Sequence, residues 1–179
     1  CTISSISANA NVTATFTAIQ YTVSVTAPEH GYLTMIGDYV DPNADPLVRD
    51  SIDCGSGTGH GDCTGLATYG GTYTIVAHPD EGYSLSDWGG SSCDTQSVAG
   101  NCTLVWDDSL PVSQTVTATF SANQYTLTFT SGTNGYVTMT GDTVSGTPDT
   151  IDCGPDSEHA ASHTDCTAKV TFDQTYVVT

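Results

Sequence analysis

The sequence predicts an all-β protein built of tandem repeats, and three observations carry that prediction. First, the chain matches itself at a fixed offset. Residues 12–16 and 116–120 are both Val-Thr-Ala-Thr-Phe, and Tyr21 answers to Tyr125 and Gly31 to Gly135, with 125 − 21 = 104 and 135 − 31 = 104. A fixed period of this kind marks an array of similar units. Second, short stretches alternate apolar residues with threonine, the period-2 pattern of strands that lay one face on a core. Third, Thr, Val and Tyr favour strands, Gly and Ser favour turns, and little in the composition favours helix.

The register of the repeat divides the chain. Cys1-Thr2-Ile3 corresponds to Cys102-Thr103-Leu104, and Thr175-Tyr176-Val177-Val178 corresponds to Thr72-Tyr73-Thr74-Ile75. The expected organisation is the C-terminal part of a preceding repeat at 1–19, a complete repeat at 20–121 and the N-terminal part of a following repeat at 122–179. On this reading the chain is a window on a longer tandem protein. The joint Thr17-Ala18-Ile19-Gln20 is too short for an independent linker, so successive units are expected to sit at a fairly fixed angle.

Taken in order, Val12, Ala14 and Phe16 alternate with Thr13 and Thr15, and the same alternation recurs at Tyr21, Val23, Val25 and at Tyr125, Leu127, Phe129. Each reads as a half-buried strand, with Tyr21, Tyr73 and Tyr125 directed inward. The Asn134-Gly135 pair, which stands where the first unit has His30-Gly31, carries the signal of a hairpin turn, because Asn and Gly both tolerate positive φ. The stretch from Gly37 to Gly61, rich in Asp, Gly, Asn and Pro, reads as a long surface loop. Its counterpart from Gly141 to Thr164 differs in sequence, so unit-specific recognition is expected there. Residues 72–77 read as a strand with Tyr73, Ile75 and Ala77 on one face. They lead into a motif at 78–90 in which Gly82-Tyr83 suits a tight turn, Leu85 and Trp88 are core candidates, and Gly89-Gly90 lets the chain reverse. The unit closes with strands near 102–106 and 115–120.

Twenty Asp and Glu face only Arg49 and Lys169, for a formal net charge of −18. Nucleic acids and anionic membranes are bound through Lys and Arg, so neither is expected as a partner. No apolar run reaches the roughly 20 residues of a spanning helix, and no direct membrane insertion is expected. The repeat also pairs the seven cysteines. Cys54 and Cys63 bracket a Gly-rich loop, Cys153 and Cys166 bracket its counterpart, and Cys93 and Cys102 bracket a second loop. Cys1, which answers to Cys102, then pairs outside the window. The competing metal reading wants clustered Cys-x-x-Cys or Cys/His spacing, which these pairs lack. Disulfides imply an oxidising, extracellular or cell-surface location, and each short bridged loop adds about 2–3 kcal/mol.

The combination of a Tyr-Thr-Val-x-Val start at 21–25, Asp62-Cys63-Thr64, Gly-Thr-Tyr-Thr-Ile at 71–75, Pro-x-x-Gly-Tyr-x-Leu-x-x-Trp-x-Gly at 79–90 and Val-Thr-Ala-Thr-Phe at 116–120 resembles the divergent internalin-B B-repeat family of bacterial surface and secreted proteins. The resemblance covers the complete unit and, in part, both fragments. It implies a small β-rich module, sandwich or β-grasp-like, that recurs in adhesins, stalks and giant cell-surface proteins. It also implies a core motif that includes Gly82, Tyr83, Trp88 and Gly89, and no family-wide catalytic residues. The acidic insertion between Met35 and Cys54, and Pro111 before the last strand, depart from the pattern.

Asp38, Asp41, Asn43, Asp45, Asp50 and Asp53 crowd one loop, and oxygens at that density suit Ca²⁺, the one cofactor considered, against a merely solvated loop. His159 and His163, four apart, form a weaker metal candidate. Trp106 is the candidate for stacking on a sugar, and Asn11 and Asn101 stand in glycosylation sequons. No Gly-x-Ser-x-Gly elbow or P-loop occurs, and the strand hydroxyls have no evident base beside them. The expected function is therefore that of a non-enzymatic structural repeat of a bacterial extracellular fibre, stalk or adhesin, assembling with neighbouring repeats or copies of itself. The alternatives are a carbohydrate-binding or spacer module of a secreted enzyme, which would meet host or matrix glycans, and a calcium-dependent adhesive domain.

Overall fold

The computed structural model describes residues 11–40, 46–90, 93, 100–110, 112–155 and 163–179. Their regular structure is all strand: β1 (Gln20–Val25), β2 (Gly31–Met35), β3 (Ile52–Gly55), β4 (Gly61–Asp62), β5 (Thr64–Thr68), β6 (Thr72–Pro79), β7 (Tyr83–Gly89), β8 (Cys102–Val105), β9 (Gln114–Ala122), β10 (Gln124–Thr128), β11 (Val137–Val144), β12 (Thr147–Gly154), β13 (His163–Asp165) and β14 (Thr167–Thr171).

The first nine strands make two sheets. One has the order β5-β1-β9-β7, the other β4-β3-β2-β6-β8. The pairing of β1 with β9 is parallel, and it joins the first and last strands of the unit. Alternate residues from both sheets meet in one core: Val23, Val25, Val116 and Phe120 from the first, and Leu33, Met35, Ile52, Ile75 and Leu104 from the second. Burying each such side chain contributes about 1.5–3 kcal/mol, which is why the period-2 pattern decides the sheet faces. Trp88 is among the largest fully buried side chains, and its indole N–H donates to the Gly100 carbonyl at 3.1 Å.

Residues 124–179 rebuild part of this unit. β10 pairs with β14 as β1 does with β5, and β11, β12 and β13 pair as β2, β3 and β4 do. Met139 bridges to Val178, as Met35 pairs with Ile75. A smaller core forms from Met139, Ile151, Cys153 and Ala168.

Four expectations change. The Asn134-Gly135 turn is not a hairpin, because β10 and β11 belong to different sheets, as do β1 and β2 on either side of His30-Gly31. Positive φ at His30 (60°) and Gly135 (134°) serves a crossing between the layers instead. The stretch from Gly37 to Gly61 is not all surface loop: Ile52 and Cys54 are 1% and 0% exposed and form β3 between β2 and β4, because their alternation with Asp53 fits a sheet. Residues 12–16 form no strand, although β9, which shares their sequence, is held between β1 and β7. Tyr125 is exposed rather than inward, as no strand of the described residues lies over that face.

Candidate functional site: the joint between units

β9 ends at Ala122 and β10 begins at Gln124, so Asn123 alone separates them. Its backbone N–H donates to the Gly82 carbonyl at 2.7 Å, and its carbonyl accepts from the Phe172 N–H at 2.9 Å. Its side-chain Oδ1 accepts from the Ser84 hydroxyl at 2.5 Å. One residue thus ties β7 of the first unit to the turn after β14 of the second. Phe172 meets Tyr83 edge-on with ring centroids 5.8 Å apart, and Tyr83 stacks on His30 at 4.1 Å. Glycine is required at 82 on two counts: its φ is 80°, and a Cβ there would lie 2.3 Å from the Phe172 ring. Gly82 and Tyr83 therefore act in the joint, while Trp88 fills the core and Gly89 ends β7.

The same geometry is half-built at the other end of the unit. Ile19 answers to Asn123 (123 − 19 = 104) and Tyr69 to Phe172 (172 − 69 = 103), and the Tyr69 N–H donates to the Ile19 carbonyl at 3.0 Å. Ile19 is 62% and Tyr69 45% exposed.

Disulfides join Cys54 to Cys63, Cys93 to Cys102 and Cys153 to Cys166, the pairs that the repeat register predicts. Cys1 lies outside the described residues. A cluster absent from the sequence reading fastens two of these loops. His60 stacks on Tyr32 at 3.9 Å and its Nδ1 lies 2.6 Å from an Asp53 carboxylate oxygen. His163 stacks on Tyr136 at 4.1 Å and its Nδ1 contacts Asp152. The offsets are 136 − 32 = 104, 163 − 60 = 103 and 152 − 53 = 99, so no single period aligns all three residues. The available signal was two shared blocks, Ile-Asp-Cys-Gly at 52–55 and 151–154 and His-x-Asp-Cys-Thr at 60–64 and 163–167.

The metal candidates fall partly outside the described residues. Asp41, Asn43, Asp45 and His159 lie outside the described residues, within which no three carboxylate, His or Cys groups converge. Asp38 accepts from the Tyr73 hydroxyl at 2.5 Å, Asp53 is held by His60, and the Asp50 backbone N–H donates to the Asp38 carbonyl. Trp106 is a correction: it is 0% exposed, stacked with Tyr21 and edge-on to Tyr73, because it follows β8 into the core instead of flanking it outside. No sugar can reach it. One hydroxyl does have a base beside it, contrary to expectation: Thr34 Oγ1 lies 2.9 Å from His78 Nε2. Among the described residues no carboxylate contacts His78, and its ring stacks on that of Tyr32 at 4.5 Å. The pair can share a proton but lacks the orienting acid of a nucleophilic triad.

Comparison with known families bears on the same residues. Residues 53–124 match the divergent InlB B-repeat domain. The resemblance carried by the motifs is thereby borne out over that stretch, which holds the Cys54–Cys63 and Cys93–Cys102 bridges, the Gly82–Trp88 motif and Asn123. No curated protein and no solved structure matches the chain. The B-repeat match and the three disulfides point to an oxidising, extracellular setting, and no helix among the described residues is long and apolar enough to cross a membrane.

Proposed function

We propose that the chain is a non-enzymatic structural segment of an extracellular array, in which disulfide-stapled β-units follow one another at a fixed angle to form a stalk, fibre or surface adhesin. The single-residue joint at Asn123 carries this reading. A hydrogen-bonded residue with an aromatic pair across it resists bending, and a series of such joints makes a stiff rod. The chain's neighbours are then further repeats or copies of itself. Disulfides protect such a rod outside the cell, and only Arg49 and Lys169 offer trypsin-type cleavage points. Both are engaged: Arg49 donates to the Gly37 carbonyl at 2.9 Å and stacks over Tyr39, and Lys169 Nζ donates to Thr126 at 2.9 Å. The carbohydrate alternative loses its residue with the burial of Trp106.

Small-angle scattering tests this reading. The 179-residue chain should scatter as one elongated particle, and a flexible Gly-Ser insertion after Asn123 should broaden its distance distribution. If the unaltered chain already scatters as two freely jointed bodies, the joint is no structural element and the array reading fails.

A further inference from the structure

The loop that the Cys54–Cys63 bridge closes reaches the joint. Ser56 stands just past the last β2–β3 pair, Tyr32 opposite Gly55, so its place is set by the bridged loop that follows it. Its N–H donates to the Gly31 carbonyl at 2.9 Å, and its hydroxyl oxygen accepts from the Gly31 N–H at 3.0 Å. The hydroxyl proton has two acceptors within reach, the Gly31 carbonyl at 3.1 Å and an Asp80 carboxylate oxygen at 3.4 Å. Asp80 in turn braces the joint: its carbonyl accepts from the Tyr83 N–H at 3.1 Å, and its N–H donates to the His30 carbonyl at 3.0 Å. His30 stacks on Tyr83, Tyr83 meets Phe172, and the Gly82 carbonyl takes the Asn123 N–H. The fit is close, since a Cβ at Gly55 would lie 2.4 Å from the Gly31 carbonyl oxygen. The loop of the second unit cannot make these bonds. There Pro155 follows Gly154 where Ser56 follows Gly55, and proline has neither an N–H nor a hydroxyl to give.

The three bridges also differ in access. Cys93 and Cys102 are both 0% exposed, whereas Cys63 and Cys166 are only partly buried. Thiol–disulfide exchange requires a thiolate to reach a sulfur, so the Cys54–Cys63 bridge can be opened from outside and the Cys93–Cys102 bridge cannot. We propose that the Cys54–Cys63 bridge is a redox switch on the stiffness of the joint, opened by a dithiol and transmitted through Ser56 and Asp80. A thiolate of the dithiol bonds to the Cys63 sulfur, and Cys54 leaves as a thiolate that takes up a proton. The second thiol then closes the reagent to its own disulfide and releases Cys63, so two electrons pass from the dithiol to the bridge. The freed loop no longer presses Ser56 onto Gly31 and Asp80, and the turn that presents Gly82 and Tyr83 to Asn123 and Phe172 loses its brace. This inference rests on the array reading, in which the joint fixes the angle between units.

Stepwise addition of dithiothreitol to the folded full chain, with Cys1→Ser throughout, tests the switch. Alkylation and peptide mapping should find Cys54 and Cys63 modified while Cys93 and Cys102 remain joined. Small-angle scattering should show the distance distribution broadening as Cys63 becomes modified. Ser56→Ala, with all three bridges intact, should broaden it in the same way, and reduction should then add little. Fluorescence of Trp88 and Trp106, both buried in the first unit, reports whether the sandwich stays folded; if reduction unfolds it, Ser56→Ala alone decides. The switch is overturned if Cys93–Cys102 opens first, if Ser56→Ala leaves the oxidised chain unchanged, or if a folded, reduced chain scatters as the oxidised one does. An oxidised chain that already scatters as two freely jointed bodies defeats the array reading instead, so the two failures are distinguishable.

Discussion

At the scale of single residues, a tyrosine latch recurs in both units. Tyr73 accepts the Thr68 N–H at 2.8 Å and donates to Asp38, and Tyr176 accepts the Thr171 N–H at 2.7 Å and donates to Asp142. Burial, and then the Asp38 carboxylate, push the Tyr73 phenol above its usual 10.0. The folded state therefore favours the neutral phenol. Its stabilisation is fully present below pH 10 and is lost as pH rises through the folded value. Alkaline titration of the unfolding free energy should fall above pH 10 in the unaltered chain and flatten in Tyr73→Phe, which should also cost about 1–2 kcal/mol at neutral pH. Asp142 behaves in the opposite sense. The Thr171 hydroxyl first, then Tyr176, hold its carboxyl below the usual 3.8. That stabilisation is present above pH 3.8 and is lost as pH falls through the folded value. Met35 and Met139, one in each core, allow the units to be followed separately by methyl NMR. Acidification should broaden Met139 before Met35, and Asp142→Asn should remove the difference.

At the scale of elements, the disulfide loops and the strands they close act together. The nine-residue separation of Cys54 and Cys63 makes their double replacement by Ser cost about 2–3 kcal/mol in chemical denaturation. The His60 ring should leave Tyr32 with it, read as a shift of the His60 ring protons; an unchanged midpoint would show that the loop is held by the stack alone. How much of this was legible in the sequence depends on where the information resides. The repeat offset and the Thr alternation predicted the strands and the cysteine pairing because both are local in sequence. Sheet membership is not local. The turn at Asn134-Gly135 resembles a hairpin turn because positive φ serves an arch as well as a hairpin, and nothing in residues 130–135 states which sheet β11 joins. Trp106 was legible and missed: it continues the alternation that buries Cys102 and Leu104 on the same face, and only its aromatic partners Tyr21 and Tyr73 are distant in sequence. The joint was half legible: its shortness could be read, but Phe172 lies 49 residues after Asn123 (172 − 123 = 49) and only the fold brings them together.

At the scale of the whole molecule, the question is whether two units behave as one body. Two linked β-units with an indifferent joint would unfold independently, and their stabilities would add. Here the joint removes that independence by physical contact: Phe172 occupies the face of Gly82, Tyr83 meets its ring edge-on, and Asn123 bonds both units through its backbone. An edge-on aromatic pair contributes about 0.5–1.5 kcal/mol beyond its buried area. A double-mutant cycle of Tyr83→Leu and Phe172→Leu should therefore return a coupling energy of about 1 kcal/mol between residues that belong to different units. Gly82→Ala should act on the same coupling, since its Cβ displaces the ring and its φ of 80° strains the new residue. A zero coupling, with Gly82→Ala destabilising the first unit alone, would make the units beads on a string. A finite coupling would mean that each unit stiffens the next, so that rigidity in an array is set by the stiffness of each joint rather than by the stability of any one sandwich.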